Sequence, residues 1–203
     1  FEEQSFDESA WAEKVAKMFH TKHFHETLSI NKAHSYLPKI LGMLDEPMGD
    51  SSLLPTFMLS MITRKNVTVA LGGDAGDELF AGYDPFKALK MAELYSSIFP
   101  KPLHQGIKNL IYILSPSHKN MSLDFKLKRT LRGLSYPKKL WNAVWLGPLE
   151  PKEISELFNE PINIEEIYSE TIEYWDKCKQ TNIVDKTLQL YTKLYLQDDI
   201  LVK

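Results

Sequence analysis

Hydrophobic positions recur with a helical period along most of the chain, with a strand period in one place and as an apolar run in another. Trp11, Val15, Met18 and Phe19 fall at i, i+4, i+7 and i+8, behind a Ser5-Phe-Asp-Glu8 run with capping-box spacing. This predicts a helix over 7–19 with its apolar stripe laid against a sheet. Residues 23–30 alternate instead, with Phe24, Leu28 and Ile30 on one face and His23, His25, Thr27 and Ser29 on the other, which predicts a strand. From Asn31, Leu37, Ile40, Leu41 and Leu44 mark a second helix, interrupted or started late at Pro38. A polar loop, 44–52, carries Asp45, Glu46 and Asp50; Ser51 or Ser52 then caps a helix running to about Lys65, with Leu54, Met58, Met61 and Ile62 inward. Val67 to Leu71 is an apolar, β-branched run and the second predicted strand. Strand, helix, helix, strand and a glycine-rich turn into a helix make an α/β pattern, most simply with parallel strands.

Beyond Tyr83 the pattern is helical. Stretches at 86–99, 107–114, 125–134, 141–146, 151–158, 164–179 and 184–202 are separated by breakers such as Phe99-Pro100-Lys-Pro102 and Ser115-Pro116-Ser117. The expected organisation is an α/β part over 1–84 and a helical part of the same domain over 85–203. No internal repeat or low-complexity segment appears.

Composition narrows the function classes. The chain has 203 residues, 43% of them hydrophobic, enough for one core. A net charge of −3, from 24 basic and 27 acidic residues, gives no electrostatic case for nucleic acid or an anionic membrane. The single cysteine, Cys178, excludes an internal disulfide and suits a reducing cytoplasm. No apolar run approaches the roughly 20 residues that span a bilayer. The chain begins at Phe1 rather than Met and stops at Lys203 without a tail, so both ends read as cuts inside something larger.

The chemistry concentrates where Val67–Leu71 breaks into Gly72-Gly73-Asp74-Ala75-Gly76-Asp77-Glu78. Ligands gather beyond the carboxyl ends of α/β strands. Glycines there permit φ > 0, and their N–H groups can cradle an anion. Three carboxylates, Asp74, Asp77 and Glu78, beside such a cradle make sense if Mg2+ is shared between carboxylate and phosphate. The competing reading is an acidic strand-to-helix turn with Asp77 or Asp74 as N-cap. Other candidates read as structure. His20, His23 and His25 lack supporting metal-ligand spacing; Lys126, Lys128, Arg129, Arg132, Lys138 and Lys139 form a solvated face; Trp141 and Trp145 pack the core; Cys178 is a structural or surface thiol.

Four blocks taken together are far more specific than the turn alone. They are Phe1-Glu-Glu-x-Ser5-Phe-Asp-Glu-Ser9; Asp45-Glu46-Pro47-x-x-Asp50-Ser51-Ser52-x-x-Pro55; Val67-x-Val-Ala-Leu71-x-Gly73-Asp74-x-Gly76-Asp77-Glu78-Leu79-Phe80-x-Gly82-Tyr83; and Tyr195-Leu-x-Asp198-Asp199-Ile-Leu201-x-Lys203. In this order they resemble the synthetase domain of glutamine-dependent asparagine synthetases. The resemblance implies a truncated parallel-sheet ATP pyrophosphatase (adenine nucleotide α-hydrolase-like) α/β domain with a mainly helical C-terminal half. It implies a ligase that uses ATP and Mg2+ to adenylate the side-chain carboxylate of aspartate. Ammonia released from glutamine by an N-terminal glutaminase domain would then displace AMP. By position, Gly72 and Gly73 would meet the nucleotide, Asp77 would bind Mg2+ with pyrophosphate, and Asp74 would assist proton removal. Asp45, Glu46, Asp50, Ser51 and Glu78 are candidates for the rim of the same site. Many family members carry Glu where Asp74 stands, and a large branch carries Asp, which shortens the carboxylate's reach.

The family's Ser-Gly-Gly-x-Asp-Ser pyrophosphate loop occurs nowhere in the chain, and neither does a glutaminase domain. The isolated chain is therefore expected to lack adenylating activity and, as a truncated sheet with an exposed edge, to self-associate; a homodimer is among the expected partners. Two other readings stand beside this one: an amidotransferase of the same family acting on another carboxylate acceptor, and a non-catalytic scaffold.

Overall fold

The computed structural model of the chain describes residues 7–27, 29–117 and 121–202. Ser5 of the capping box, the strand position Leu28 and the motif ends Phe1 and Lys203 lie outside the described residues. The chain divides into two compact units at Gly72–Gly73.

The first unit holds α1 (Ser9–Met18), α2 (Ile30–Leu41) and α3 (Leu53–Arg64). α2 and α3 pack together around Ala33, Ile40 and Met58, all buried, with the Tyr36 and Phe57 rings 5.8 Å apart. α2 runs unbroken through Pro38. A proline in the last turn removes only its own N–H bond, and the Pro38 carbonyl still accepts from Gly42 N at 3.2 Å. Neither serine caps α3 through its side chain. Asp50 organises that entry instead, accepting from Ser52 N at 2.8 Å and Ser52 Oγ at 2.7 Å.

The expected strands do not form. Among the described residues there is no β-strand, and 21–27 and 67–73 run without regular structure. A strand exists only as a hydrogen-bonded pair, and neither segment has a partner among the described residues. Val69 and Leu71 are 79% and 98% exposed, so this apolar run is met by no opposing surface. The α1 stripe expected against a sheet is likewise open, with Trp11 and Phe19 exposed.

The second unit is helical, as its pattern predicts: α4 (Gly76–Phe80), α5 (Asp84–Ile98), α6 (Lys101–Tyr112), α7 (Leu123–Leu134), α8 (Trp141–Leu146), α9 (Pro151–Phe158), α10 (Ile164–Ile167), α11 (Ser169–Lys177) and α12 (Ile183–Leu190). Its core joins Phe86, Leu89 and Ala92 of α5 to Trp141 and Trp145 of α8, Ile183 of α12 and Tyr191. The Trp pair is core, as read. The basic cluster is not wholly a solvated face. Arg129 Nε and Nη2 donate to the carbonyls of Trp145 and Leu146 at 2.5 and 3.0 Å, and Arg132 reaches those of Gly147 and Pro148 at 3.3 Å each. Arg129 satisfies carbonyls that the end of α8 leaves orphaned, and Arg132 ties down the two residues that follow the helix. α12 continues into a π-helical turn, Tyr191–Leu196, rather than a uniform helix to residue 202.

A polar seam links α5, α6 and α7. Buried His104 meets Tyr95 OH through Nδ1 at 3.1 Å and Ser135 Oγ through Nε2 at 3.0 Å. Ser135 Oγ donates to the Leu131 carbonyl at 3.1 Å, and Lys108 Nζ donates to Ser135 Oγ at 3.3 Å. Ser135 is thus an acceptor for His104, so Nε2 carries the proton of a neutral ring and Nδ1 accepts from Tyr95. Burial, with the Lys108 charge adding, pushes the His104 pKa below the ordinary histidine value. An unfolded chain then binds a proton at about pH 6.5 that the folded chain refuses. This contribution to stability is complete above that value and is lost as pH falls through it. Urea midpoints should drop between pH 7.5 and 5.5, and His104→Gln should flatten that segment of the profile. An unchanged slope in the variant would remove His104 from the account.

Candidate active site

The acidic turn opens the second unit. Gly76 N donates to the Gly73 carbonyl at 3.2 Å, and Leu79 N to that of Ala75 at 3.0 Å, closing the five-residue helix α4. Its N-cap position is Ala75, which has no capping side chain, so neither Asp74 nor Asp77 serves as the cap. No glycine among the described residues has positive φ. The left-handed positions flanking α4 are Ala75 (φ 74°) and Ala81 (φ 57°). An L-residue is held there only by its surroundings, and such outliers cluster at functional sites.

Asp74 and Asp77 are exposed, and so is the Gly72–Gly73 backbone. Asp77 folds back over Gly82. Its carbonyl accepts from Gly82 N at 3.1 Å, and a Cβ at Gly82 would sit 1.9 Å from Asp77 Oδ1. The side chain therefore uses space that only glycine leaves free. Glu78 points the other way. It is 2% exposed and accepts a hydrogen bond from Tyr83 OH through Oε1. Burial, then Glu78 itself, push the Tyr83 pKa far above its ordinary range, so the phenol remains a donor at neutral pH. The Tyr83 ring lies 5.6 Å from that of Tyr191 and 6.1 Å from that of Tyr195. The structure thus gathers Asp77, Glu78, Gly82 and Tyr83 around one short helix. The rim candidates Asp45, Glu46 and Ser51 are exposed on their loop in the first unit, and Asp50 is half-buried. The tyrosine cluster is what sequence reasoning missed. Its signal was the Glu78 to Tyr83 spacing inside a motif already in hand.

The Asparagine synthase family model matches residues 1–203. The chain belongs to the asparagine synthase family. That membership brings the ATP pyrophosphatase fold class, although the described residues form no parallel sheet. The chain is 30% identical to the putative asparagine synthetase [glutamine-hydrolyzing] 2 of Methanocaldococcus jannaschii, over 99% of its length and 37% of that protein. It is 28% identical to the putative asparagine synthetase [glutamine-hydrolyzing] of Mycobacterium bovis, over all of its length and 30% of that protein. Asparagine synthetase [glutamine-hydrolyzing] 1 of Bacillus subtilis is 24% identical, with 31% of it covered. The chain thus spans about a third of the length of these relatives. No solved structure gives a significant match. No helix among the described residues is long and apolar enough to cross a membrane.

Donor chemistry decides how a metal fits. Among the described residues no group of three or more His, Cys, Asp or Glu side chains is placed to hold an ion, which leaves no protein-only cage. Mg2+ does not need one: it typically binds through one or two carboxylates and takes its other oxygens from phosphates and water. The exposed Asp74 and Asp77 fit that demand only with a phosphate group present.

Proposed function

We propose that residues 1–203 act as part of the synthetase domain of a glutamine-dependent asparagine synthetase. The observation that carries this reading is the family match over the whole chain, in which the acidic turn presents two aspartates outward and locks its glutamate inward. In this reaction a side-chain oxygen of aspartate attacks the α-phosphorus of ATP and pyrophosphate leaves. Ammonia derived from glutamine then attacks the acyl carbon, AMP departs with the carboxylate oxygen, and the new nitrogen loses protons. Asp77 would hold Mg2+ together with pyrophosphate, and the ion, when bound, would supply neutralisation of the leaving charge. Asp74, three residues earlier, accepts a proton as ammonia adds, and the Gly72–Gly73 backbone lies against the nucleotide. A glutaminase domain elsewhere in a longer polypeptide supplies the ammonia, and the cytoplasm is its compartment.

The test is aspartate-dependent exchange of labelled pyrophosphate into ATP by the polypeptide as the cell makes it. Exchange that requires aspartate supports the reading, and its absence with every carboxylate acceptor tried leaves the scaffold reading. The same assay on residues 1–203 alone should show no exchange, because the chain has no Ser-Gly-Gly-x-Asp-Ser loop. Asp rather than Glu at position 74 favours one second reading, a family member with another carboxylate acceptor. Exchange that depends on a carboxylate other than aspartate would select it.

A further inference from the structure

We infer that Glu78 is a positioning residue: a buried carboxylate, gripped by Tyr83 against the π-helical turn, holds α4 so that Asp74 and Asp77 face the phosphate-bound metal. The inference rests on the metal reading proposed above and adds what fixes the aspartates in place.

A helix of five residues has almost no stability of its own, since nucleation costs more than its few hydrogen bonds return. Such an element must be held by tertiary contacts, and short helices are ordinarily held by apolar side chains. α4 is not: Leu79 and Phe80, its two apolar residues, are 52% and 84% exposed. Glu78 is the buried residue of the helix. An isolated carboxylate at 2% exposure is costly, so its partner decides whether it holds or destabilises the turn. That partner is the Tyr83 hydroxyl. Tyr83 is in turn fixed by Tyr191, which is 1% exposed, and the Tyr191 and Tyr195 rings meet edge-on at 5.6 Å. Tyr191 contributes its ring to this arrangement, because its hydroxyl finds no hydrogen-bond partner among the described residues.

Tyr191 and Tyr195, four apart, share one face as residues at this spacing do on any helix, and the helix is locally widened into a π-helical turn there, a feature that recurs at functional sites. α4 packs directly on this turn and on α12. The two left-handed alanines then make mechanical sense as the ends of a helix whose orientation is dictated from outside. Asp77 sits one residue before the anchor and one side of the helix away from it, so any rotation of Glu78 re-aims Asp77.

The experiment pairs hydrogen exchange with ligand affinity in the polypeptide as the cell makes it. Glu78→Gln keeps volume and an acceptor for Tyr83; Tyr83→Phe keeps the ring and strands the carboxylate; Glu78→Ala removes the anchor. Amides of 76–82 should lose protection in Glu78→Ala and Tyr83→Phe while those of α5 and α12 keep theirs. Affinity for Mn2+ with pyrophosphate, read from the Mn2+ resonance, should fall about tenfold or more in both, as when a support of a metal ligand is removed, and Glu78→Gln should recover most of it. Wild-type polypeptide that binds no Mn2+ with pyrophosphate overturns the metal reading, and the inference falls with it. Wild type that binds, with folded Tyr83→Phe binding equally well, overturns the positioning role alone.

Discussion

Replacing Gly133 by alanine is expected to destabilise the second unit by roughly 3 kcal/mol, against the usual preference of helices for alanine. Gly133 is buried in α7, and a Cβ built there would lie 2.2 Å from Trp145 Nε1 and 2.5 Å from Cδ1. The indole has nowhere to retreat: Trp145 is 5% exposed, its Nε1 donates to the Thr130 carbonyl at 3.2 Å, and its ring lies 6.2 Å from that of Trp141. Overpacking of this kind costs up to about 3 kcal/mol, and the lost indole hydrogen bond adds about 1, while helix propensity returns about 1. The steric loss wins. Gly106 in α6 is the matched control, since a Cβ there would meet nothing within 4 Å. Gly106→Ala should stabilise by about 0.5–1 kcal/mol. Urea midpoints of the two variants should move in opposite directions from wild type. A Gly133→Ala protein as stable as wild type would show that the α7–α8 contact is looser than its geometry.

That contact also shows what the sequence carried. Trp141 and Trp145, four apart in an aromatic segment, were legible as core because their spacing puts both on one helix face. The glycine opposite them was not, since nothing local announces that position 133 faces an indole. The same limit explains the arginines. Charge pattern says only that 126–139 is basic; which guanidinium turns inward depends on where α8 ends, a tertiary fact. In the first unit the strands failed for a different reason. Val67–Leu71 has the composition of a buried strand, yet a strand's hydrogen bonds belong to its neighbour, and the described residues supply none. Within the site, the motif marks where three carboxylates fall in the chain but does not separate their faces. Asp77 and Glu78 are adjacent in sequence and alike in chemistry, and only burial distinguishes the outward carboxylate from the inward one.

That division of labour makes Asp77→Ala the most damaging single change expected in the turn. Of the three carboxylates, Glu78 is committed to Tyr83, so Asp74 and Asp77 alone remain exposed to meet a cation. On the proposed metal reading, removing one would leave a phosphate-bound ion with a single carboxylate from this turn. Aspartate-dependent AMP formation by the polypeptide as the cell makes it should fall roughly a hundredfold or more, a loss of about 3 kcal/mol of transition-state stabilisation. Stability should barely change, because the side chain is exposed. Gly82→Ala sharpens the test by keeping the charge and moving it. The new methyl would meet Asp77 Oδ1 at 1.9 Å, and the carboxylate is the free end of a side chain that can swing aside. Since Gly82 does not need positive φ, the variant should fold, with AMP formation reduced about tenfold and partly restored at higher Mg2+. A wild-type rate for Asp77→Ala would end the metal role of Asp77. A wild-type rate for Gly82→Ala alone would show that the metal does not need the carboxylate where the glycine lets it lie.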